Sequence, residues 1–337
     1  MSDPGPNESP RKECIMKKIR LLVLGFSAMV VSTMIVGFLQ AQTYPSHPIQ
    51  VVITLAPGDS LDLVGRALCA ELSKVLNSEV IPMNKMGGGG SVGIDWVAKS
   101  KKDGYTILYT NSAIVYTYAL NPENVPYNPF QDLDPLCMTT SIPMLVPTQA
   151  DSPWVSFRDL LNYMQKNPDK IRGATTGVGS SGHLALAIIR AETGQAVTMV
   201  PFKGASPGLT ALLGGHVEIG TYAFALVSPH AEAGKVRLLL TSKKLPKFPS
   251  VPTLKELGYK RDIPSPWFAF YVPSGVPDSV KKILTSALEK AVKAPDVANV
   301  YHKISALEDY KTADELKRLM QEEYGMVKEL LKGGTGH

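Results

Sequence analysis

Three stretches of the chain combine glycine, small hydroxyl residues and a following helical pattern, which is what anion recognition by backbone groups requires. They are Gly58-Asp59-Ser60-Leu61-Asp62, Asn84-Lys85-Met86-Gly87-Gly88-Gly89-Gly90-Ser91 and Thr175-Thr176-Gly177-Val178-Gly179-Ser180-Ser181-Gly182-His183. In each, a strand pattern ends, the chain turns and a helix begins. Unpaired N–H groups and the positive end of a helix dipole then face the turn. Where side chains are missing, a ligand can touch the backbone itself. One glycine turn between a strand and a helix is ordinary geometry; three in one chain point to a site for a small anion.

Other chemistry is excluded by context. The third loop matches Gly-x-Gly-x-x-Gly, but it lies mid-chain, and the strand after it ends in Lys203 where a dinucleotide ribose would want Asp or Glu. No Gly-Lys-Ser/Thr follows the glycine run, so it is not a phosphate-binding P-loop. Ser180 and Ser181 sit near His183 without a Gly-x-Ser-x-Gly elbow, and His183 reads as a helix N-terminal residue that orients the loop. Of the three cysteines, Cys14 precedes the apolar segment described below, while Cys69 and Cys137 lack any metal-ligand spacing. An oxidising compartment would permit a Cys69–Cys137 disulfide. Cys69 falls in a helical pattern, however, so buried free thiols are expected. No metal and no cofactor is expected.

These loops need a scaffold of strands and helices, and the sequence supplies both in alternation. Strand patterns cover residues 49–55, 105–110, 171–176, 199–202, 236–241 and 268–272. Leu61, Val64, Leu68, Leu72 and Val75 mark one helix face, with Ser60 as its expected N-cap. Further helices are expected over 156–165, 183–192, 279–292 and 313–331. Short strands alternating with amphipathic helices give an α/β class, and 337 residues exceed one comfortable core, so two lobes are expected.

At the N-terminus, Lys17, Lys18 and Arg20 precede an uncharged apolar run over 21–39 and then Gln40, Ala41 and Gln42. This is the layout of a secretory signal cleaved after Ala41, and it predicts export to the periplasm. An uncleaved anchor is the alternative, since the run approaches the roughly 20 residues that span a bilayer. The formal charge is +5, and removal of residues 1–41 takes away five basic and three acidic residues to leave +3. That mild excess forms no basic block, so nucleic acid is not expected as a partner.

On these residues the chain resembles the tripartite tricarboxylate transporter substrate-binding proteins. The resemblance runs from Tyr44-Pro45-Ser46-His47-Pro48-Ile49 to the C-terminal helix. It rests on Asn84 with Gly87, Gly89, Gly90 and Gly93, on Asp103-Gly104-Tyr105-Thr106, and on Gly177, Gly179 and Ser180 followed by His183-Leu184-Ala185. Phe202-Lys203-Gly204, Leu212-Leu213-Gly214-Gly215, Ala233-Gly234-Lys235-Val236-Arg237 and Val251-Pro252-Thr253 continue it. It implies a two-lobed type II periplasmic-binding fold, two mixed α/β domains with a ligand cleft between them. The lobes are expected at 44–146 plus 265–337 and at 147–264. It also implies a monomer that takes a small organic carboxylate and delivers it to membrane permease subunits, without catalysis. The ligand contacts so implied are Gly58, Asp59, Ser60, Asp62, Asn84, Gly87, Gly89, Thr110, Asn111, Thr176, Gly179, Ser180, Ser181, Lys203, Gly204 and Ala205. A solute sensor docking on a membrane histidine kinase would use the same lobes.

The first loop departs from the family pattern, which carries Gly-Gly and then Asp three residues later. Asp62 is present, but Asp59 replaces the second glycine, and Lys85-Met86 replaces Arg-Pro. Three outcomes are open: Asp59 points away, pairs with Lys85 or Lys203, or meets a ligand bearing a cationic or hydrogen-donating group.

Overall fold

The computed structural model describes residues 44–177 and 180–332. The apolar run over 21–39 and the cleavage position after Ala41 therefore lie outside the described residues. Among the described residues no helix is long and apolar enough to cross a membrane. The chain divides into a unit ending at Ser46, of which residues 44–46 are described and contain a cis Tyr44–Pro45 peptide, and a unit beginning at His47.

The second unit opens with three parallel strands separated by helices: β1 (Ile49–Ile53), α1 (Ser60–Leu76), β2 (Val80–Asn84), α2 (Ser91–Ala98), β3 (Thr106–Asn111) and α3 (Ala113–Leu120). Helices cover the sheet, so β1 is almost wholly buried and apolar except for the half-buried Gln50. Next come β4 (Leu133–Ser141), β5 (Met144–Gln149), α4 (Phe157–Lys166), β6 (Arg172–Thr175), α5 (Ser181–Thr193), β7 (Thr198–Pro201), α6 (Ala205–Leu213), β8 (Ile219–Gly220), β9 (Tyr222–Ala223), α7 (Phe224–Glu232) and β10 (Val236–Thr241). The chain then returns through β11 (Trp267–Pro273), α8 (Asp278–Val292), α9 (Pro295–Ile304), β12 (Leu307–Thr312) and α10 (Ala313–Lys332).

Two mixed sheets result, one per lobe. The first runs β12-β4-β11-β3-β1-β2, with β11 antiparallel to both β3 and β4. The second runs β10-β5-β8-β6-β7, with β9 also on β5 and with β6 parallel to β7 and β8. Residues 142–143 and 242–266 cross between the sheets and are tied together. Ile142 N donates to Pro266 O at 2.7 Å, and the Ser242 and Ser265 hydroxyls share a hydrogen bond of 2.6 Å. The C-terminal helix α10 packs on α3 and β4 and reaches α5.

Several local expectations are corrected. Asp59, not Ser60, is the N-cap of α1: its backbone is extended (φ −67°, ψ 158°) and its carboxylate accepts from Leu61 N. Val75 is 38% exposed and is not part of the buried stripe of Leu61, Val64, Leu68 and Leu72. The helix expected from residue 183 begins at Ser181, because Ser180 accepts from His183 N and so caps the turn before it. The expectation of buried free thiols holds, since Cys69 and Cys137 are both free and buried.

Candidate functional site

Because β3, β1 and β2 are adjacent and parallel, the loops that follow them emerge side by side at one edge of the first sheet. In doubly wound sheets ligands bind outside such carboxyl ends. The residues there are bonded to one another. Thr54 and Thr110, both buried, share a hydroxyl hydrogen bond of 2.8 Å across the ends of β1 and β3. Asn84, at the end of β2, donates to Asp62 Oδ1 at 2.8 Å and to Leu55 O at 3.0 Å.

Asp62 is the centre of this network and is only 2% exposed. Its carboxylate accepts from Gly58 N at 2.8 Å and from Arg66 Nε at 2.9 and 3.0 Å, and Arg66 in turn donates to Asn84 Oδ1 at 2.6 Å. Burial alone would raise the Asp62 pKa. The Arg66 hydrogen bond, then the Gly58 amide and the Asn84 amide, outweigh it and hold the carboxyl below its ordinary value. Asp62 and Asn84 thus spend these polar atoms on bracing the first two loops.

Asp59 is exposed, and its Oδ1 takes Leu61 N at 3.1 Å and the Ser60 hydroxyl at 3.2 Å. No ion pair joins it to Lys85 or Lys203 among the described residues. Lys85 instead holds its ammonium 4.8 Å above the Trp96 ring, and Lys203 is exposed. Most backbone donors of the first loop are used internally: Gly58 N by Asp62, Asp59 N by Ala56 O and Leu61 N by Asp59. This loop therefore presents a carboxylate edge.

The glycine run is different. Gly87, Gly88, Gly89 and Gly90 all have positive φ, from 55° to 128°, a conformation that side chains resist. α2 starts after Gly90 without any side-chain cap, and open space surrounds the position a Gly89 Cβ would take. Close packing explains Gly93: a Cβ there would come within 2.6 Å of Lys85 O. In the loop after β3, Asn111 Oδ1 accepts from Ala113 N at 3.0 Å and fixes the start of α3.

The second sheet offers an equivalent edge where the parallel strands β6 and β7 end. Phe202 N bonds Thr175 O at 2.9 Å and joins the two loops. Thr176 is exposed, Ser180 and Ser181 are half-buried, and Ser180 Oγ accepts from His183 N at 3.1 Å. Gly179 lies outside the described residues. Burial lowers the pKa of His183, which stands in the first turn of α5. After β7, Lys203 is exposed, Gly204 (φ 123°) precedes α6 without a side-chain cap, and Ala205 is its first residue. The uncapped start of α6 and the first turn of α5 are suited to hold an anion, whereas the first amides of α2, Ser91 N and Val92 N, are taken by the Gly88 and Gly87 carbonyls, so that the glycine run offers a surface free of side chains.

A second polar region was not legible in the sequence. A cavity of about 720 Å³ lies beside the crossing segments, lined among others by Ser141, Lys243, Trp267, Asp309, Lys311 and Glu323. Lys243 Nζ donates to Ser141 Oγ at 2.9 Å and to Asp309 Oδ2, joining the segment after β10 to β4 and β12 of the other sheet. Burial would raise the Asp309 pKa, but hydrogen bonds from Lys243 and Lys311 bring it to about 2. Lys243 and Asp309 are 66 residues apart, so no local spacing marks the pair.

A sequence model described as the tripartite tricarboxylate transporter family receptor matches residues 64–334. Protein BugT of Bordetella pertussis (strain Tohama I) is 31% identical over 321 residues, which cover 93% of this chain and 98% of that protein. The crystal structure of a TctC solute binding protein from Polaromonas, without ligand, superposes with a TM-score of 0.79 at 27% identity, covering 86% of this chain and 100% of that one. MatC from Rhodopseudomonas palustris, with bound malate, superposes at 0.67 with 25% identity, covering 85% of this chain and 99% of that one.

Proposed function

This chain belongs to the tripartite tricarboxylate transporter receptor family, and from that premise we propose that it captures a small organic carboxylate in the periplasm and delivers it to membrane permease subunits as a monomer, with no reaction of its own. The observation that carries this reading is the pair of loop sets at the carboxyl ends of parallel strands, one on each sheet, with a glycine run free of side chains before α2 and an uncapped helix start at α6. Fixed amides and helix dipoles stabilise a carboxylate without a buried arginine. The MatC relative binds malate, which makes dicarboxylates the first ligands to try.

In this reading Gly87, Gly89, Ser180, Ser181, Gly204 and Ala205 touch the ligand, joined by Thr176, Gly179 and Lys203, and Thr110 and Asn111 shape the floor. Asp62 and Asn84 act through the loops they brace. Gly58, Asp59 and Ser60 form the edge that discriminates among ligands. The lobes are close to 44–146 plus 265–337 and 147–264, the chain changing lobe at the crossing residues 142–143 and 242–266, and the N-terminal signal is cleaved near Ala41.

A thermal-shift screen of the mature protein against malate, adipate and related acids tests the assignment. A specific ligand at about 100 times its dissociation constant stabilises by about 2.7 kcal/mol, a shift of several degrees. A flat response to every carboxylate, with a clear response to another ligand class, would overturn it.

A further inference from the structure

Glu323 of α10 is a carboxyl with little solvent: 9% of the residue is exposed, and it accepts a hydrogen bond from Trp267 Nε1 at 2.9 Å. Trp267 opens β11 immediately after the second crossing segment, and its carbonyl accepts from Ser112 N at 3.0 Å, next to Asn111 of the candidate site. Through Trp267 the carboxyl is therefore linked both to the second crossing segment, the hinge between the sheets, and to the residue before α3. The titratable and charged groups facing it come from each surrounding element. They are Tyr116 of α3, Tyr271 of β11 alongside Trp267, Lys243 from the segment after β10, and Glu322 on its own helix. Asp309 and Lys311 of β12, Lys255, Lys260, Arg261 and Asp262 of the second crossing segment, and Glu329 of α10 line the same cavity.

Burial pushes the Glu323 carboxyl up to about 7, so it changes charge near neutrality. Asp309, at about 2, stays ionised throughout that range. A neutral carboxyl can rest on the indole donor alone, whereas a buried carboxylate needs a cation. Lys243 lines the same cavity as Glu323, and it is already held by Asp309 and Ser141.

We propose that Glu323 is a proton-operated control on the hinge. When neutral, it leaves Lys243 clasped to Asp309 across the two sheets; when ionised, it draws Lys243 toward α10 and loosens that clasp, so that lobe opening and ligand affinity follow the acidity of the compartment. The proposal rests on the receptor reading, because it assigns a role to a hinge that must move.

Small-angle scattering and calorimetry with malate and adipate, at about pH 6 and about pH 8, test it on the wild type, Glu323→Gln and Lys243→Met. Each unit of pKa difference between open and closed forms is worth up to about tenfold in affinity, and a wild-type change of about threefold or more is expected. Glu323→Gln should keep its behaviour near pH 6 at both values, and Lys243→Met should also lose the response. If Glu323→Gln retains the wild-type pH response, or merely melts earlier with that response intact, the control is refuted. A wild-type Glu323 carboxyl resonance titrating below about pH 5 refutes it as well, and needs no variant to fold. Ligand-induced contraction that is identical at both pH values refutes the control and leaves the receptor reading standing. If no ligand contracts the protein, the receptor reading falls instead, and the ligand-free scattering profile still tests the hinge.

Discussion

Replacing Asp62 with Ala would strand three donors at once, the Gly58 amide, the Arg66 guanidinium and the Asn84 amide. An unsatisfied buried donor costs about 1–3 kcal/mol; Arg66 and Gly58 are exposed and can turn to water while Asn84 is half-buried, so Asp62→Ala is expected to lose about 1–2 kcal/mol in urea denaturation. The pH dependence has a definite sign. The folded pKa lies below the ordinary value of 3.8, so the stabilisation is present above that value and is lost as pH falls through the folded one. Between about pH 5 and pH 3, the urea midpoint of Asp62→Asn should therefore fall less steeply than that of the wild type. Asp59 separates two effects of one carboxylate. Loss of the cap predicts a cost of about 1 kcal/mol for Asp59→Ala and a few tenths for Asp59→Gly, while both variants remove the charge and should bind simple carboxylates more tightly. Calorimetry showing an unchanged ligand order in both would leave Asp59 as a cap alone. The spacing from Gly58 to Asp62 was readable, but the choice between Asp59 and Ser60 as cap was not. Both residue types cap well, and only the extended backbone at Asp59 decides.

Among the elements, β1, β3, β10 and β11 announce themselves by apolar, β-rich runs, but β4 and β5 do not. Each contains a proline, which argues against an interior strand, yet both are interior to their sheets. The register explains how. Tyr271 pairs with Pro135 and Phe270 with Cys137, so the ladder shifts beside Pro135; Leu238 pairs with Pro147 and Leu240 with Val146, so it shifts again beside Pro147. Bulges let a residue that lacks a donor sit inside a sheet. Helix α5 meets the second sheet through Gly182, where a Cβ would lie 2.4 Å from Thr221 Oγ1. Gly182→Ala is therefore expected to cost about 1–3 kcal/mol through overpacking. Adding Thr221→Ala should return part of that loss, and a double-mutant cycle on the melting data reads the coupling. Strict additivity would mean that α5 shifts away from the strand at no cost.

At the scale of the molecule, chain length and loops in both halves anticipated two lobes, whereas the hinge chemistry stayed hidden because its partners meet only after folding: Trp267 and Glu323 are 56 residues apart. Loops on separate sheets can grip one small molecule only by converging on it, so saturating ligand is expected to contract the small-angle scattering profile. An unchanged profile would indicate a static site. Cys69 and Cys137, the two cysteines among the described residues, bear on how such closure could be watched. Both are buried, and burial raises both thiol pKa values, that of Cys69 to about 12, so thiolate, the form that reacts with maleimide dyes, is scarce in the folded protein. A new surface cysteine on each lobe could then carry a donor and an acceptor fluorophore without removing either native residue, and would turn the receptor into an optical reporter of its own ligand.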